Sequence, residues 1–252
     1  MVFTLEVKNI RKSFGNLHAL DDVSLGAEEK SLTILMGPNG SGKTTLINVI
    51  GGLYKPDSGT VLFHGREITG LPPHKIFKLG LARTFQIPAL FPQLTVLENV
   101  MVARKDNPGE SFAKSLSKRL WATEEAKTAE QGFEVLAMVG LSHMWDKLAS
   151  VLSGGQLKLL EIGRALMSDA NMILLDEPIS GVNPTLAHQI FSTLVKIRDN
   201  YGVTFLIIEH RLDIALSYVD SVIAMAYGRF LTSGTPQEVT SDIRVIDAYL
   251  GG

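Results

Sequence analysis

The alternation of hydrophobic and polar positions divides the chain into recognisable elements. Thr4 to Ile10 alternates as a half-buried strand does, and Thr60-Val61-Leu62-Phe63-His64 reads as another, bounded by Ser58-Gly59 and Gly65. Ser31-Leu32-Thr33-Ile34-Leu35-Met36 is a short, mostly apolar run that ends at glycine. Two later runs share its character, Met172-Ile173-Leu174-Leu175 and Val203 to Ile208, with a helix-like stretch from Pro184 to Arg198 between them. Short buried strands alternating with helices predict a parallel sheet covered on both faces. From about Leu94 to Ala170 no strand stands out. Thr95-Val96-Leu97-Glu98 has capping-box spacing, Asn107-Pro108-Gly109 marks a turn, and Thr123 to Val139 is rich in helix formers. This middle third reads as a helical insertion in an α/β core. Internal repeats and low-complexity tails are absent from the sequence.

Composition narrows the function. The 252 residues are 45% hydrophobic and 20% charged, as in a globular protein with one large core or two modest ones. With 24 Lys+Arg against 26 Asp+Glu the net charge is −2, which argues against a nucleic-acid partner held by bulk positive charge. The lack of Cys removes disulfides, thiolate zinc sites and cysteine nucleophiles together. The first residues lack the basic-then-apolar layout of a secretory signal, and no apolar run approaches the roughly 18 residues that span a bilayer. The chain reads as soluble, so service to a membrane would go through a partner.

Gly37-Pro38-Asn39-Gly40-Ser41-Gly42-Lys43-Thr44 matches G-x-x-x-x-G-K-[ST], between a buried strand and a helical run from Thr45 to Ile50. Glycines let backbone N–H groups turn inward around phosphate oxygens, and a helix N-terminus adds partial positive charge. Lys43 is placed to reach the β and γ phosphates, and the Thr44 hydroxyl to hold Mg²⁺. A chance match in a chain this rich in glycine has a probability on the order of 1%. The loop alone leaves transporter ATPase, GTPase, small-molecule kinase and motor open.

Asp176 and Glu177 follow Met172 to Leu175, at the carboxyl end of a buried strand where α/β sheets place ligands. Successive strand side chains diverge, so Asp176 is expected to support the Mg²⁺ shell while Glu177 polarises the attacking water. Leu152-Ser153-Gly154-Gly155-Gln156 starts a helix, Ser153 and Gln156 having capping-box spacing. A serine and two glycines at a helix N-terminus also make a second phosphate-binding surface. One phosphate loop with two phosphate grips makes sense if the second grip closes on a nucleotide held by another subunit.

The phosphate loop, Leu-Ser-Gly-Gly-Gln, the Ile-Leu-Leu-Asp-Glu-Pro run and the later His210 together resemble the ATP-binding subunit of an ABC transporter. The resemblance covers nearly the whole chain and implies an α/β fold. A P-loop NTPase, RecA-like core with a mainly parallel sheet would carry an N-terminal antiparallel β subdomain and an inserted α-helical subdomain. It implies one ABC ATPase domain over 1–252. The β subdomain and the first part of the core would fill 1–93, the helical subdomain 94–166, the rest of the core 167–230 and a C-terminal tail 231–252. ATP and Mg²⁺ are the implied ligands, with Thr45 and the signature residues Ser153, Gly154, Gly155 and Gln156 joining the loop at the nucleotide. Phe14 is similar in placement to the aromatic that stacks on adenine, and Gln86 to the glutamine that touches Mg²⁺ and water. His210 stands where the family has a γ-phosphate switch histidine. Asp176 would act on Mg²⁺ through water.

Ser180-Gly181-Val182-Asn183 departs from the usual Ser-Ala-Leu-Asp, and Asn183 before Pro184 also suits a helix cap. Arg83-Thr84-Phe85-Gln86, Gly181-Val182-Asn183-Pro184, Ile208-Glu209-His210 and Tyr249-Leu250-Gly251-Gly252 look most like ATPases of branched-chain amino-acid importers. Importers of urea or other small amides share much of this pattern. The resemblance implies a second ATPase subunit paired head to tail, permease subunits docked around Ile87 to Arg104, and, indirectly, a solute-binding protein. The place would be the cytoplasmic face of the membrane. Rivals are a nucleic-acid-associated ATPase, which usually carries coiled coils or a second cassette, and a GTPase, whose Asn-Lys-x-Asp motif is missing.

Overall fold

The computed structural model describes residues 2–84, 90–105 and 118–250, with the side chains of 118–122 left aside. A six-stranded sheet forms the centre. Three of its strands, β3 (Leu32–Met36), β7 (Met172–Asp176) and β8 (Thr204–Ile208), are buried at every residue. That is the consequence of apolar side chains on both faces, the pattern of a covered parallel strand. With β6 (Leu81–Arg83), β9 (Ser221–Ala226) and β10 (Arg229–Gly234) the order is β10-β9-β3-β8-β7-β6. All neighbours run parallel except the β9–β10 hairpin.

Alternation along these strands divides the core in two. Ile34, Ile173, Leu175, Phe205 and Ile207 face one side, while Leu35, Leu174, Leu206 and Ile208 face the other. The second side is covered by α1 (Lys43–Ile50) and by an antiparallel sheet of order β2-β1-β4-β5. Its strands are β1 (Phe3–Phe14), β2 (Leu17–Glu28), β4 (Ser58–Phe63) and β5 (Arg66–Glu67), and α2 (Pro73–Lys78) leads from it to β6.

The first side carries the helices. These are α3 (Val96–Met101), α4 (Lys118–Met138), α5 (Gly154–Met167) and α6 (Pro184–Tyr201). Val100 of α3, Leu136 of α4, Leu160 of α5 and Ile190 of α6 share one core with the sheet. Thr95 and Glu98 form a complete capping box on α3, and Asn183 caps α6 through Leu186 N. Buried Asn99 fastens the preceding loop, bonding both the N–H and the carbonyl of Phe91 at 2.9 Å. Three further short α-helices follow β8 in the described chain: α7 (Leu212–Ala215), α8 (Pro236–Ser241) and α9 (Ile243–Leu250).

Register decides where the chemistry sits. Leu35 and Asp176 both pair with Ile208, and Met36 pairs with Ala224. The loops leaving β3, β7 and β8 therefore emerge together at the carboxyl edge of the sheet.

Candidate functional site

The phosphate loop turns directly out of β3. Two of its glycines are required by close backbone approach. A Cβ on Gly37 would lie 2.1 Å from the Met225 carbonyl oxygen, and one on Gly42, at φ 96°, would lie 2.6 Å from that of Ala19. The β9–β10 hairpin walls the loop, since Gly228 N–H donates to the Ser41 carbonyl at 3.2 Å. Helix α1 then starts with no side-chain cap and no acidic residue in its first turn, so its first N–H groups are free to face an anion. Thr44 is exposed and Thr45 half-buried in that turn.

Lys43 folds back over the loop. Its Nζ donates to the carbonyls of Gly37 (2.8 Å) and Pro38 (2.9 Å) and to Ser41 Oγ (3.2 Å), using the three donors an ammonium has. Burial holds its pKa below the usual lysine value, opposed by the charges of Glu177 and Asp176. A phosphate at this place would offer Lys43 a charged partner in exchange for neutral ones.

The two carboxylates part company, though not by strand alternation, because β7 ends at Asp176 and Glu177 lies in the turn beyond it. Asp176 turns to Arg83 Nη2 at 3.4 Å, and the same guanidinium bonds Asn48 of α1. Glu177 has φ 51°, a left-handed turn that swings its side chain toward the loop after β8. There Glu177 Oε1 stands 3.4 Å from His210 Nε2. Behind it, Lys158 Nζ of α5 donates to the Glu177 carbonyl at 2.6 Å.

The signature segment lies on another element. Ser153 caps α5 by accepting from Gln156 N, while Gln156 Oε1 accepts from Ser153 N at 2.9 Å. Its glycines differ in environment. Gly154 faces open space, whereas a Cβ on Gly155 would meet Leu186 Cδ2 at 2.0 Å, so Gly155 lets α5 and α6 pack closely. Among the described residues no hydrogen bond joins Ser153 to Gln156 with the phosphate loop.

Phe14, at the end of β1, is 44% exposed and packs edge-to-face with Tyr54 at 5.2 Å between centroids. Asp57 fixes the strand end that carries it by accepting from Lys12 Nζ (3.1 Å) and Ser13 N (2.6 Å). Gln86 lies outside the described residues. Sequence reasoning passed over Lys158 and Tyr54, and it quoted Arg83, Glu209 and Tyr249 only within family-like runs, giving them no role. Tyr249 of α9 also reaches this edge. Burial raises its phenol pKa, and a hydrogen bond with the Gly37 backbone works against that rise.

A family profile described as ABC transporter matches residues 20–180. The chain belongs to the ABC transporter family. It is 46% identical to the probable branched-chain amino acid transport ATP-binding protein LivG of Archaeoglobus fulgidus, over 98% of this chain and 95% of that one. A crystal structure of the ADP conformation of an ATP-binding cassette of an ABC transporter superposes with TM-score 0.86 at 44% identity, covering 100% of both chains. A dimeric ATP-binding cassette in a post-hydrolysis state, bound to ADP and Pi, reaches TM-score 0.74 at 27% identity over 92% of this chain and 98% of that one. The chain is thus an ABC ATPase, and its P-loop α/β fold is that of the family.

Proposed function

We propose that this ABC ATPase drives the import of branched-chain or other hydrophobic amino acids, hydrolysing ATP at two sites shared between head-to-tail subunits. The observation that carries the hydrolytic part is the pair Glu177 and His210, 3.4 Å apart at the sheet edge where the phosphate loop begins. Likeness to LivG at 46% identity supports the solute class.

In this reading the loop from Gly37 to Thr44, with Thr45, binds the phosphates, and Phe14 stacks on adenine. Lys43 leaves its carbonyl partners for the β and γ oxygens. Glu177 takes a proton from a water that attacks the γ-phosphorus in line as the bond to the bridging oxygen breaks, giving ADP and inorganic phosphate. His210 hydrogen-bonds the γ-phosphate and orients the carboxylate. Ser153, Gly154, Gly155 and Gln156 close on the nucleotide of the other subunit, so ATP joins the dimer and its loss lets the dimer open.

The donor set suits Mg²⁺. Thr44 Oγ1 and Asp176 are hard oxygen donors, and Asp176 would act through water, with Gln86 contributing a further oxygen. Bound there, Mg²⁺ would offset charge on the transferred phosphate.

Among the described residues no helix is long and apolar enough to cross a membrane. Permease subunits, docked around residues 87–104, would hold the ATPase at the cytoplasmic face, and a solute-binding protein would act through them. The test is affinity purification of the tagged chain from native membranes. The expected result is recovery of permease subunits that, in vesicles with ATP enclosed, take up leucine presented with the solute-binding protein. Uptake of urea but not leucine would overturn the solute assignment.

A further inference from the structure

The loops that carry Glu177 and His210 meet at a buried carboxylate to which the scheme above gives no task. Glu209 is 2% exposed, and a charge at that depth requires partners. It has three hydrogen-bond partners, all backbone N–H groups, with the Lys158 ammonium as a neighbouring opposite charge. Oε1 accepts the Ile179 N–H at 2.9 Å, while Oε2 accepts those of His210 (2.9 Å) and Arg211 (3.2 Å). Ile179 lies two residues beyond Glu177, and His210 and Arg211 open the loop after β8.

The bonds made by Oε2 alone would be an ordinary local turn cap. The Oε1 bond is different, since it spans 30 residues and joins the two loops. A second tie runs beside it, from Arg211 Nη1 to the Val182 carbonyl at 3.0 Å. A third joins Glu177 N–H to the Ile208 carbonyl at 2.9 Å. Glu177 Oε1 and His210 Nε2 face each other between these ties.

We propose that Glu209 is a positioning residue that makes the base loop and the switch loop one rigid body and so sets the spacing of Glu177 and His210. It acts through backbone N–H groups. The same tie carries motion of His210 into Ser180 to Asn183, the segment in which Asn replaces the family's Asp. This inference rests on the roles given above to Glu177 and His210.

The experiment measures kcat and KM for MgATP on the full chain for Glu209→Ala, Glu209→Gln, His210→Ala and the His210→Ala/Glu209→Ala double variant. Glu209→Ala is expected to lower kcat by about tenfold or more while KM stays within about twofold, the split of a change felt mainly after binding. In the His210→Ala background the same substitution should cost less than about twofold, because its effect passes through the histidine. Glu209→Gln keeps one oxygen acceptor and the side-chain shape, so its kcat should fall between wild type and Glu209→Ala. Unchanged kcat in Glu209→Ala, or a loss that multiplies in full with that of His210→Ala, overturns the proposal. If the alanine variant does not fold, unchanged kcat in Glu209→Gln does the same. Wild-type turnover in His210→Ala would instead overturn the assignment of the reaction centre, and the role of Glu209 with it.

Discussion

Glu177 illustrates what single residues disclose and conceal. Its place after a buried apolar run marked it as a ligand-edge carboxylate, and strand alternation predicted its divergence from Asp176, but β7 ends at Asp176 and the divergence comes from the turn that follows. The left-handed backbone that aims it at His210 was not readable, nor was the Lys158 contact behind it, because each depends on chain 19 to 33 residues away. The role of Arg83 escaped for the same reason, its partner Asp176 lying 93 residues on. The Glu177 carboxylate stands beside His210, while the Glu177 N–H and carbonyl make the ties to Ile208 and Lys158, so a side-chain change of the same shape leaves those ties in place. Glu177→Gln is expected to cut kcat by about 10²- to 10³-fold while MgATP affinity changes less than about threefold. Steady-state hydrolysis and equilibrium nucleotide binding on the same preparation check this, and turnover near wild type would remove Glu177 as the base.

At the level of elements, legibility followed burial. The strands buried on both faces, β3, β7 and β8, were evident as apolar runs, and the capped starts of α3, α5 and α6 followed from their side chains. Strand β2 gave no alternation to detect. Register shifts against β1, with Asn9 and Asp22 at positive φ, space its buried Leu20, Val23 and Ala27 three and four apart, a helical interval on an extended chain. Strand β6 is only three residues long.

The connection between α5 and β7 ties the signature helix to the Glu177 backbone. Helix α5 presents the signature at its N-terminus and, one turn later, holds the Glu177 carbonyl through Lys158. Burial lowers the Lys158 pKa, against the pull of Glu209, Glu161, Glu177 and Asp176, so its charge is held by this surrounding of carboxylates. A movement of the signature toward the partner's nucleotide would therefore displace the base loop of its own subunit. Lys158→Met preserves the stem and deletes the ammonium. It should lower maximal turnover by about threefold to tenfold and flatten the cooperativity of hydrolysis with ATP concentration, leaving the binding of ATP to the phosphate loop within about twofold. A Hill coefficient equal to that of the unsubstituted chain would show that α5 and the base loop are not coupled by this contact.

For the molecule as a whole, the decisive question is whether one chain holds a complete reaction centre. The phosphate loop, Glu177 and His210 gather at one sheet edge, while Ser153 and exposed Gly154 start a helix of the inserted layer. If the signature serves the partner's ATP, each site takes its loop from one chain and its signature from the other. Two damaged chains can then repair each other. Lys43→Ala removes the phosphate ligand and Ser153→Arg blocks the signature, so either homodimer has no intact site. In an equal mixture about half the dimers combine the two, and each of these pairs the sound phosphate loop of one chain with the sound signature of the other, so about a quarter of all sites are whole. Hydrolysis should rise on mixing to about that fraction of the unsubstituted rate, and should fall again on dilution below the dimer dissociation constant. A mixture no more active than the sum of its two parts would place loop and signature of each site in the same chain, and ATP could not then be what joins the subunits.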